Sequence, residues 1–517
     1  MNIDTQKSSI NYDEAIVGCG SEVLAEADII LPQDCPDISK ILQINATARI
    51  NEKETGGDKV ILRGEVNFTV IYVPDSQMSD LPAKSISASA NFTDICQAGG
   101  ITGDMKIRSI ADVTSVNYSL INSRKLSVKS TVHTEIKALC RGSKNFVCDI
   151  LSDEIQTETL KTEISSFCQQ FDGEFNVTVS DRLEIPQGKP AATEILKISA
   201  GVSNCDVKLL PDKCIVKGIC TVNTLYISRA DLSLEFMEHE IPFTEVFETP
   251  GVLEDMDTDI DFTVSGIYYE TDEDDSGIHT VGAEINMLVN ITVSGEQKVP
   301  VLSDCFAPGY TLTPTRTLCK IDRIEKTSRP QIPIKGELYL GEDYPPISQI
   351  CHISSKPVVD KVTMTEGGVN LEGTLKIDVL YITADMYTPI CSFRGEIPFT
   401  HSVSADSCSD FIVDCSVHPE NISYTLTDEL TVSIRATVIA SVKIICNDTV
   451  NLIDDISVSQ TDTEEKSPLV IYFVQPEDTM WSIAKKYKTP VEKITKCNSI
   501  SPAHTLTPGT RLVIPTT

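Results

Sequence analysis

The residue types that most often do chemistry are present in this chain, but their spacing matches no known active site. The seven histidines are scattered, and only His239 and His401 lie beside a shared Ile-Pro-Phe-Thr segment, at different offsets from it. No P-loop, Gly-x-Gly-x-x-Gly, Gly-x-Ser-x-Gly or His-Glu-x-x-His pattern occurs. We therefore predict no catalytic residue and no cofactor, and we expect that the protein is not an enzyme.

The cysteine content is high, with seventeen residues at irregular spacings. No Cys-x-x-Cys pair and no zinc-finger spacing occurs, and a secreted disulfide scaffold would be shorter and denser in cysteine. The N-terminus lacks a basic region followed by an apolar one, and no apolar run approaches the roughly 20 residues of a spanning helix. These patterns favour free thiols in a reducing cytosol, without membrane insertion.

The densest run of carboxylates lies at Glu254–Asp261, followed by a second cluster at Glu270–Asp275. A calcium loop is one interpretation of these residues. However, Asp257, Asp259 and Asp261 alternate like one face of a strand, and the second cluster lacks EF-hand spacing. We therefore favour a solvated hairpin and predict no metal site.

Charge is distributed unevenly along the 517 residues, whose net charge is −32. Residues 468–517 contain six basic and three acidic residues, a net charge of +3, so the first 467 residues contain 37 basic and 72 acidic ones, a net charge of −35. An acidic body of this kind repels nucleic acid and anionic membrane surfaces. The sequence thus predicts a long acidic body that carries a small basic module.

The acidic body contains an internal repeat with offsets of 154 and 155 residues. Pro36, Pro190 and Pro345 each precede a similar apolar segment. In the same register, the copies share a glycine and then a tyrosine: Gly64, Gly218 and Gly373, and Tyr72, Tyr226 and Tyr381. A period this long indicates tandem domains rather than a solenoid. The predicted divisions are domains at 1–160, 161–325 and 326–455, a linker at 456–468, and a terminal module at 469–517.

Each repeat has the sequence pattern of β-strands. Val66, Phe68 and Val70 alternate with polar residues, as in a half-buried strand. We predict that the shared glycine marks a bulge or a close backbone approach, and that the shared tyrosine packs in the core. Only Ile38–Leu42 and its two copies are predicted as a short helical turn. The expected fold is mainly β, with three tandem β-sandwich-like domains.

The terminal module has a β-α-α-β pattern. Val470–Val474 predicts a strand, and Asp478 or Thr479 is a good N-cap for the first helix. Thr489-Pro490-Val491-Glu492 predicts a capping box for a second helix, which Asn498 ends. Leu512–Ile514 predicts the returning strand.

At these residues the module resembles the LysM domain, which usually binds N-acetylglucosamine-containing glycans such as peptidoglycan. The resemblance rests on Asp478–Ala484, Asn498, the Leu506–Gly509 turn and the closing Ile-Pro. Glu477 and Lys488 depart from it, because each stands where the family usually has glycine. Trp481 is expected in the core rather than as a sugar-stacking platform. The resemblance implies a ligand or partner groove between two loops, formed by Glu477, Asp478, Thr479, Met480, Asn498, Ser499, Ile500 and Ser501.

The whole chain resembles the clostridial spore coat morphogenetic proteins of the SipL type, which have tandem SPOCS domains and a C-terminal LysM domain. The resemblance implies a mother-cell protein that ties the coat basement-layer ATPase, SpoIVA, to the forespore surface. The LysM domain would then dock a protein, and the β domains would supply further contacts, self-association among them. The basic residues expected to meet an acidic partner are Lys485, Lys486, Lys488, Lys493 and Lys496. Peptidoglycan binding by the LysM domain is the alternative.

Overall fold

The structure is a computed structural model, and it consists almost entirely of antiparallel strands. The described residues are 3–75, 77, 79–97, 99–102, 105–151, 155–275, 277–341, 344–365, 367–385, 388–405, 411–460, 468–501 and 506–516. The first repeat contains β1 Thr5–Ile30, β2 Ile38–Gly56, β3 Lys59–Pro74, β4 Lys84–Gln97, β5 Lys106–Asn122 and β6 Lys125–Ile150. The second contains β7 Glu158–Glu184, β8 Ala192–Leu210, β9 Lys213–Ser228, β10 Leu234–Glu248, β11 Asp257–Asp274 and β12 Gly277–Phe306.

The third repeat follows the same order with its first strand divided in two. Its strands are β13 Tyr310–Ser328, β14 Gln331–Tyr339, β15 Ile347–Thr365, β16 Gly368–Thr383, β17 Ile390–Ser404, β18 Phe411–Asp428 and β19 Thr431–Gln460. The terminal module contains β20 Leu469–Phe473, α1 Met480–Tyr487, α2 Val491–Asn498 and β21 Arg511–Pro515. The prediction of a mainly β fold with three tandem repeats and a β-α-α-β module is confirmed.

Each repeat packs a small sheet against a large one. The small sheets have the orders β2-β3-β4, β8-β9-β10 and β15-β16-β17, and the large sheets are centred on β6, β12 and β19. Buried residues from both sheets form an apolar core in each repeat, and the first repeat has a second, smaller cluster that includes Leu62 and Ile136. Of the predicted linker, residues 456–460 continue β19, and residues 461–467 lie outside the described residues.

The shared glycine allows a close approach across the small sheet. Gly64, Gly218 and Gly373 pair with Phe92, Phe243 and Phe399 of the neighbouring strand. A Cβ atom added at Gly373 would lie 2.4 Å from the Phe399 ring and 2.6 Å from the Val358 carbonyl oxygen. The predicted close approach is thus confirmed, and the aromatic ring covers the space that a side chain would fill.

The shared tyrosine is fully buried in every repeat, as predicted. Its hydroxyl donates a hydrogen bond to the carbonyl of the proline 36 residues before it. These bonds join Tyr72 to Pro36, Tyr226 to Pro190 and Tyr381 to Pro345, at 3.2, 3.3 and 3.0 Å. The shared proline and the shared tyrosine therefore act together: their hydrogen bond joins the segment before the small sheet to the central strand of that sheet.

The predicted helical turn at Ile38–Leu42 is wrong, because these residues begin strand β2. Its apolar residues recur every third position because the strand contains two register shifts, between Ile38 and Lys40 and between Ile41 and Gln43. The same shifts occur in β8 and β15. A bulge adds one unpaired residue and turns the following side chains, which imitates helical spacing in the sequence.

The three repeats close into a ring around a shared apolar cluster. Strand β4 packs on β8, and β17 packs on β2, while Phe236 of β10 and Cys351 of β15 line one cavity. The cluster takes equivalent residues from each repeat: the bulged Leu42, Leu196 and Cys351, and the strand residues Ile71, Leu225 and Leu380. This head-to-tail arrangement is the one that cyclic homo-oligomers use, formed here within one chain.

A second junction lies where the long strands extend beyond their own sandwiches. Residues of β6, β12 and β19 pack together there, among them Val147, Leu302 and Ile453. A neighbouring apolar cluster joins the same three strands through Phe146, Val301 and Leu452. The ring is therefore held at two levels, and the terminal module lies against the end of β12 and the start of β13.

Candidate functional site

Asp478 organises the first loop of the predicted LysM groove. Its Oδ2 accepts hydrogen bonds from the Gln475 backbone N–H and the Tyr472 hydroxyl, each of 2.7 Å. These bonds, the one from Gln475 first, hold the pKa of the Asp478 carboxyl below its ordinary value. The Asp478 carboxylate thus stabilises the conformation of the loop between β20 and α1.

Helix α1 begins where its capping residues predict. The Thr479 hydroxyl accepts a 3.0 Å hydrogen bond from the Ser482 N–H, and the Ser482 hydroxyl accepts one of 3.0 Å from the Thr479 N–H. This reciprocal pair is a capping box. The next residue, Met480, is buried with Ile483 and Ala484. Met480 therefore belongs to the module's core rather than to an accessible groove.

Both residues that depart from the LysM pattern have left-handed backbone conformations. Glu477 has φ of 72° and Lys488, the C-cap of α1, has φ of 54°. Glycine adopts this region without steric cost, whereas a residue with a Cβ atom is strained by about 1 kcal/mol. The usual glycines are thereby explained, and this module accepts strain at both of these positions.

Asn498 joins the second groove loop to the sheet. Its Nδ2 donates to the carbonyls of Ile494 at 2.8 Å and Val513 at 2.7 Å, and its Oδ1 accepts a 2.7 Å bond from the Val513 N–H. The amide therefore acts as an added strand partner for β21. Its role is structural, and the following Ser499 ends α2 in the left-handed conformation.

The accessible part of the predicted groove is smaller than its eight residues. Glu477, Thr479, Ser499 and Ser501 are exposed, and Ile500 is half-buried. These residues lie in the β20–α1 and α2–β21 loops, so a ligand at this site would meet mostly hydroxyls, backbone groups and one carboxylate.

The predicted capping box at Thr489 does not form. The structure places the N-cap of α2 at Pro490, without a side-chain cap. The Thr489 hydroxyl donates a 2.8 Å hydrogen bond to the Pro515 carbonyl. Thr489 is buried, and it ties the turn between the helices to the last strand.

A second face of the module packs against the body at the junction of repeats two and three. The indole Nε1 of Trp481 donates a 3.0 Å hydrogen bond to Asp304 Oδ2. The Trp481 ring lies 5.2 Å, centroid to centroid, from Phe306, which completes the module's apolar core. Trp481 thus packs between the module and the end of β12.

Two of the basic residues assigned to an external partner contact the body instead. Lys485 Nζ lies 2.7 Å from Asp304, and Lys488 Nζ donates a 3.0 Å hydrogen bond to the Tyr310 carbonyl. Glu158 accepts a bond from the Val491 N–H at the start of α2, while burial raises the pKa of its carboxyl. The strained backbone of Lys488 therefore supports a contact that glycine could not make.

Comparison with protein families matches both parts of the chain. The family described as SipL, SPOCS domain, matches residues 37–121, 191–272 and 346–427, and the LysM domain family matches residues 472–515. The chain has the SipL-type architecture. Searches of curated proteins and of solved structures found no match.

Each SPOCS match of this SipL-type protein begins directly after the shared proline and covers the small sheet with nearly all of the next strand. The family associates the chain with sporulation and the spore coat, and the LysM domain makes it capable of binding peptidoglycan. The described part of the chain contains no helix that is long and apolar enough to cross a membrane.

The second acidic cluster, Glu270–Asp275, is exposed at the β11–β12 hairpin, as predicted, whereas Asp259 and Asp261 of the first run face the third repeat. Asp259 accepts a 3.4 Å hydrogen bond from Ser416, and Asp261 lies 4.0 Å from His418. The predicted alternation on one strand face is present in β11. Among the residues that the structure describes, no group of three metal-ligating side chains could hold a metal ion.

The sequence analysis missed the face of the module that packs against the chain's own body. We call this surface, formed by Trp481, Lys485 and Lys488, the docking face. The available signal was the lysine at position 488, which favours glycine, because a lysine side chain can make a contact that glycine cannot. The cysteines whose side chains the structure describes are free thiols, many of them buried.

Proposed function

We propose that this chain is a non-enzymatic adaptor of spore coat assembly, and that its LysM domain docks the coat basement-layer ATPase (SpoIVA) at the forespore surface from the mother-cell cytoplasm. The observation that carries the proposal is the division of the module into two faces. One face is bound to the chain's own acidic body through Trp481, Lys485 and Lys488. The groove loops and three lysines, Lys486, Lys493 and Lys496, are exposed and thus accessible to a partner.

The body fixes the position of the module. Phe306 is 4% exposed and completes the core of the LysM domain, so the docking face buries apolar surface as well as charge. An adaptor needs such a fixed geometry, because a bound partner is then held at a defined distance from the ring. The three SPOCS domains would supply the contacts to the forespore surface.

Basic residues that do not contact the body define the proposed partner surface. Lys486, Lys493 and Lys496 are exposed, although Lys486 also lies over the Tyr472 ring at 5.0 Å and Lys496 is 3.4 Å from Glu492. Exposed pairs of this kind contribute little to stability, so these lysines can exchange partners at low cost. They favour an acidic protein surface.

Co-purification of the ATPase with the full-length chain tests the proposal. We expect retention by the wild type and strong loss after the triple change Lys486→Glu, Lys493→Glu and Lys496→Glu. The matched control reverses three exposed lysines of the repeats, Lys217, Lys335 and Lys376. Equal loss in both variants would assign binding to overall charge, and equal retention would rule out this surface.

Peptidoglycan binding is the second candidate function, favoured by the exposed loops of the groove. A pull-down on purified cell wall tests it with Ser501→Arg, which adds bulk to an exposed loop position. Asp478→Ala is less informative because Asp478 holds Tyr472 and Gln475. Wall retention that Ser501→Arg abolishes, without loss of the ATPase, would favour the glycan function.

A further inference from the structure

The outer face of the LysM sheet carries large apolar side chains that are more than half exposed. Leu469, Ile471 and Phe473 alternate along β20 and are 55%, 59% and 56% exposed. Their neighbours on β21 extend the same face, because Pro515 pairs with Leu469 and Val513 pairs with Ile471. Contiguous exposed apolar side chains of this kind mark a contact surface for another protein chain.

The register of the LysM sheet shows which backbone groups of β20 are used. The Val474 N–H donates to the Thr510 carbonyl at 3.0 Å, and β20 pairs with β21 without a register shift. Hydrogen-bonded pairs alternate with non-bonded ones in an antiparallel sheet, so Tyr472 and Val470 bond to β21. The N–H and C=O groups of the other three residues of β20 therefore point to its free edge. These are the same residues whose apolar side chains are exposed.

A side chain, rather than a strand, bonds to one end of this edge. Gln475 Nε2 donates a 2.9 Å hydrogen bond to the Phe473 carbonyl, which a neighbouring strand would otherwise bond. Because Gln475 is exposed, its amide can turn to solvent when a strand takes its place. In the described part of the chain, no strand other than β21 pairs with β20. The edge therefore has the geometry of a sheet ladder without a strand beside it.

Strand β20 also lacks the protection that edge strands usually have. Natural edges are shielded by charged residues, by proline or by a covering element. The outer strand of the first large sheet, β1, follows this rule, because Glu22, Glu26 and Asp28 are exposed along it. The five residues of β20, Leu-Val-Ile-Tyr-Phe, contain no charged residue, no proline and no glycine. High β-propensity in an uncharged apolar edge is the composition that pairs with another strand.

We propose that β20 pairs with β20 of a second copy of this chain, antiparallel and with Ile471 on the two-fold axis. Leu469 of each copy then lies opposite Phe473 of the other, and Ile471 lies opposite its own counterpart, so apolar side chains meet along the whole contact. The edge N–H and C=O groups of the same residues face each other as hydrogen-bonded pairs. A second copy is favoured over a foreign strand because the apolar alternation is the same in either direction, which makes the edge self-complementary.

The contact is small, and its size determines its strength. Two five-residue strands bury less than the roughly 1,200 Å² of a stable interface, so dimerisation should be weak and should depend on protein concentration. The dimer would join two rings through their LysM domains. It does not depend on the docking of the ATPase proposed above.

Sedimentation equilibrium of the full-length protein at increasing concentration tests the pairing. We expect a monomer–dimer equilibrium in the wild type. Ile471→Lys places two like charges at the axis and should lower the association constant by about tenfold or more, and Ile471→Glu should act similarly. An equimolar mixture of the two variants should restore the dimer, because the lysine of one copy then faces the glutamate of the other. The matched control is Leu318→Lys, a change at a side chain of β13 that is 70% exposed, which should leave the equilibrium unchanged.

Hydrogen exchange gives a second measurement, at the backbone. The N–H groups of Ile471 and Phe473 should become protected from exchange as the protein concentration rises. The N–H group of Tyr472 already bonds to β21, so its protection should stay the same.

Three outcomes would overturn the proposal. The first is a wild type that stays monomeric at every concentration, and the second is a mixture of Ile471→Lys and Ile471→Glu that does not associate although circular dichroism shows both variants folded. The third is an Ile471→Lys variant that sediments like the wild type but no longer co-purifies with the ATPase, because β20 would then bind that protein instead of a second copy.

Discussion

Trp481 donates its indole N–H to the carboxylate of Asp304, across 177 positions of the sequence and 3.0 Å of space. The same carboxylate lies 2.7 Å from Lys485. Asp304 therefore holds both the apolar and the charged part of the docking face. Because Trp481 is the chain's single tryptophan, its fluorescence reports on this contact alone.

Asp304→Asn should loosen the LysM domain from the body. The change removes the negative charge of Asp304, to which Lys485 and Trp481 both bind. The contact between module and body should weaken by about 1–2 kcal/mol, since Lys485 is half exposed. We expect a red-shifted Trp481 emission and stronger quenching by acrylamide. Asp34→Asn, an exposed change in the first repeat, should leave both unchanged. Unaltered quenching in Asp304→Asn would show that this carboxylate does not hold the module.

Docking should also depend on pH through Asp304. Burial raises the pKa of this carboxyl, but hydrogen bonds from Lys485 and Trp481 outweigh burial and hold the pKa below its ordinary value. A lowered pKa in the docked state means that the stabilisation is fully present above the ordinary value, about 3.9, and is lost as the pH falls through the lowered one. Trp481 emission should therefore shift in acid. The shift should be absent from Asp304→Asn, with circular dichroism used to exclude general unfolding.

Glycine at the two positions where LysM domains usually have it should affect the contact between module and body differently. Glu477→Gly relieves a left-handed backbone at an exposed site and should raise the stability of the LysM domain by about 1 kcal/mol. Lys488→Gly relieves similar strain but removes the 3.0 Å bond to the Tyr310 carbonyl. We expect stronger Trp481 quenching in Lys488→Gly only. Equal quenching in both variants would contradict a docking role for Lys488.

Gly373→Ala should destabilise the third repeat by about 1–3 kcal/mol, because the added methyl group would overlap the Phe399 ring and the Val358 carbonyl. Urea unfolding measures the loss. Gly201→Ala is the matched control, since a Cβ atom there meets nothing within 4 Å, and it should be neutral or slightly stabilising. A similar cost at both positions would assign the effect to general strand propensity.

Much of the fold could be predicted from the sequence because the residues shared by all three repeats are those that the structure of the repeat requires. The glycine predicted a close approach, and its cross-strand partner is the phenylalanine of the Ile-Pro-Phe-Thr segment. The buried tyrosine was predicted to pack, and it does, with the added bond to the repeat's proline. These features are local within a repeat, so composition and alternation are sufficient to predict them.

The features that the sequence did not predict depend on register or on distant contacts. Two bulges in β2 give Ile38, Ile41 and Ile44 a spacing of three, which imitates a helix. No local pattern identifies Asp304 as the partner of Trp481. Of the predicted groove residues, Asp478 and Asn498 use their side chains for hydrogen bonds within the module itself.

Ring closure within one polypeptide has a consequence for stoichiometry. Three identical subunits would carry three LysM domains and three identical residues at the centre, and their assembly would depend on protein concentration. In this chain the ring forms at any dilution, each copy can diverge at its own position, and three SPOCS domains share one LysM domain. The described ring is thus a single-chain pseudo-trimer, in which three SPOCS domains are covalently linked to one LysM domain.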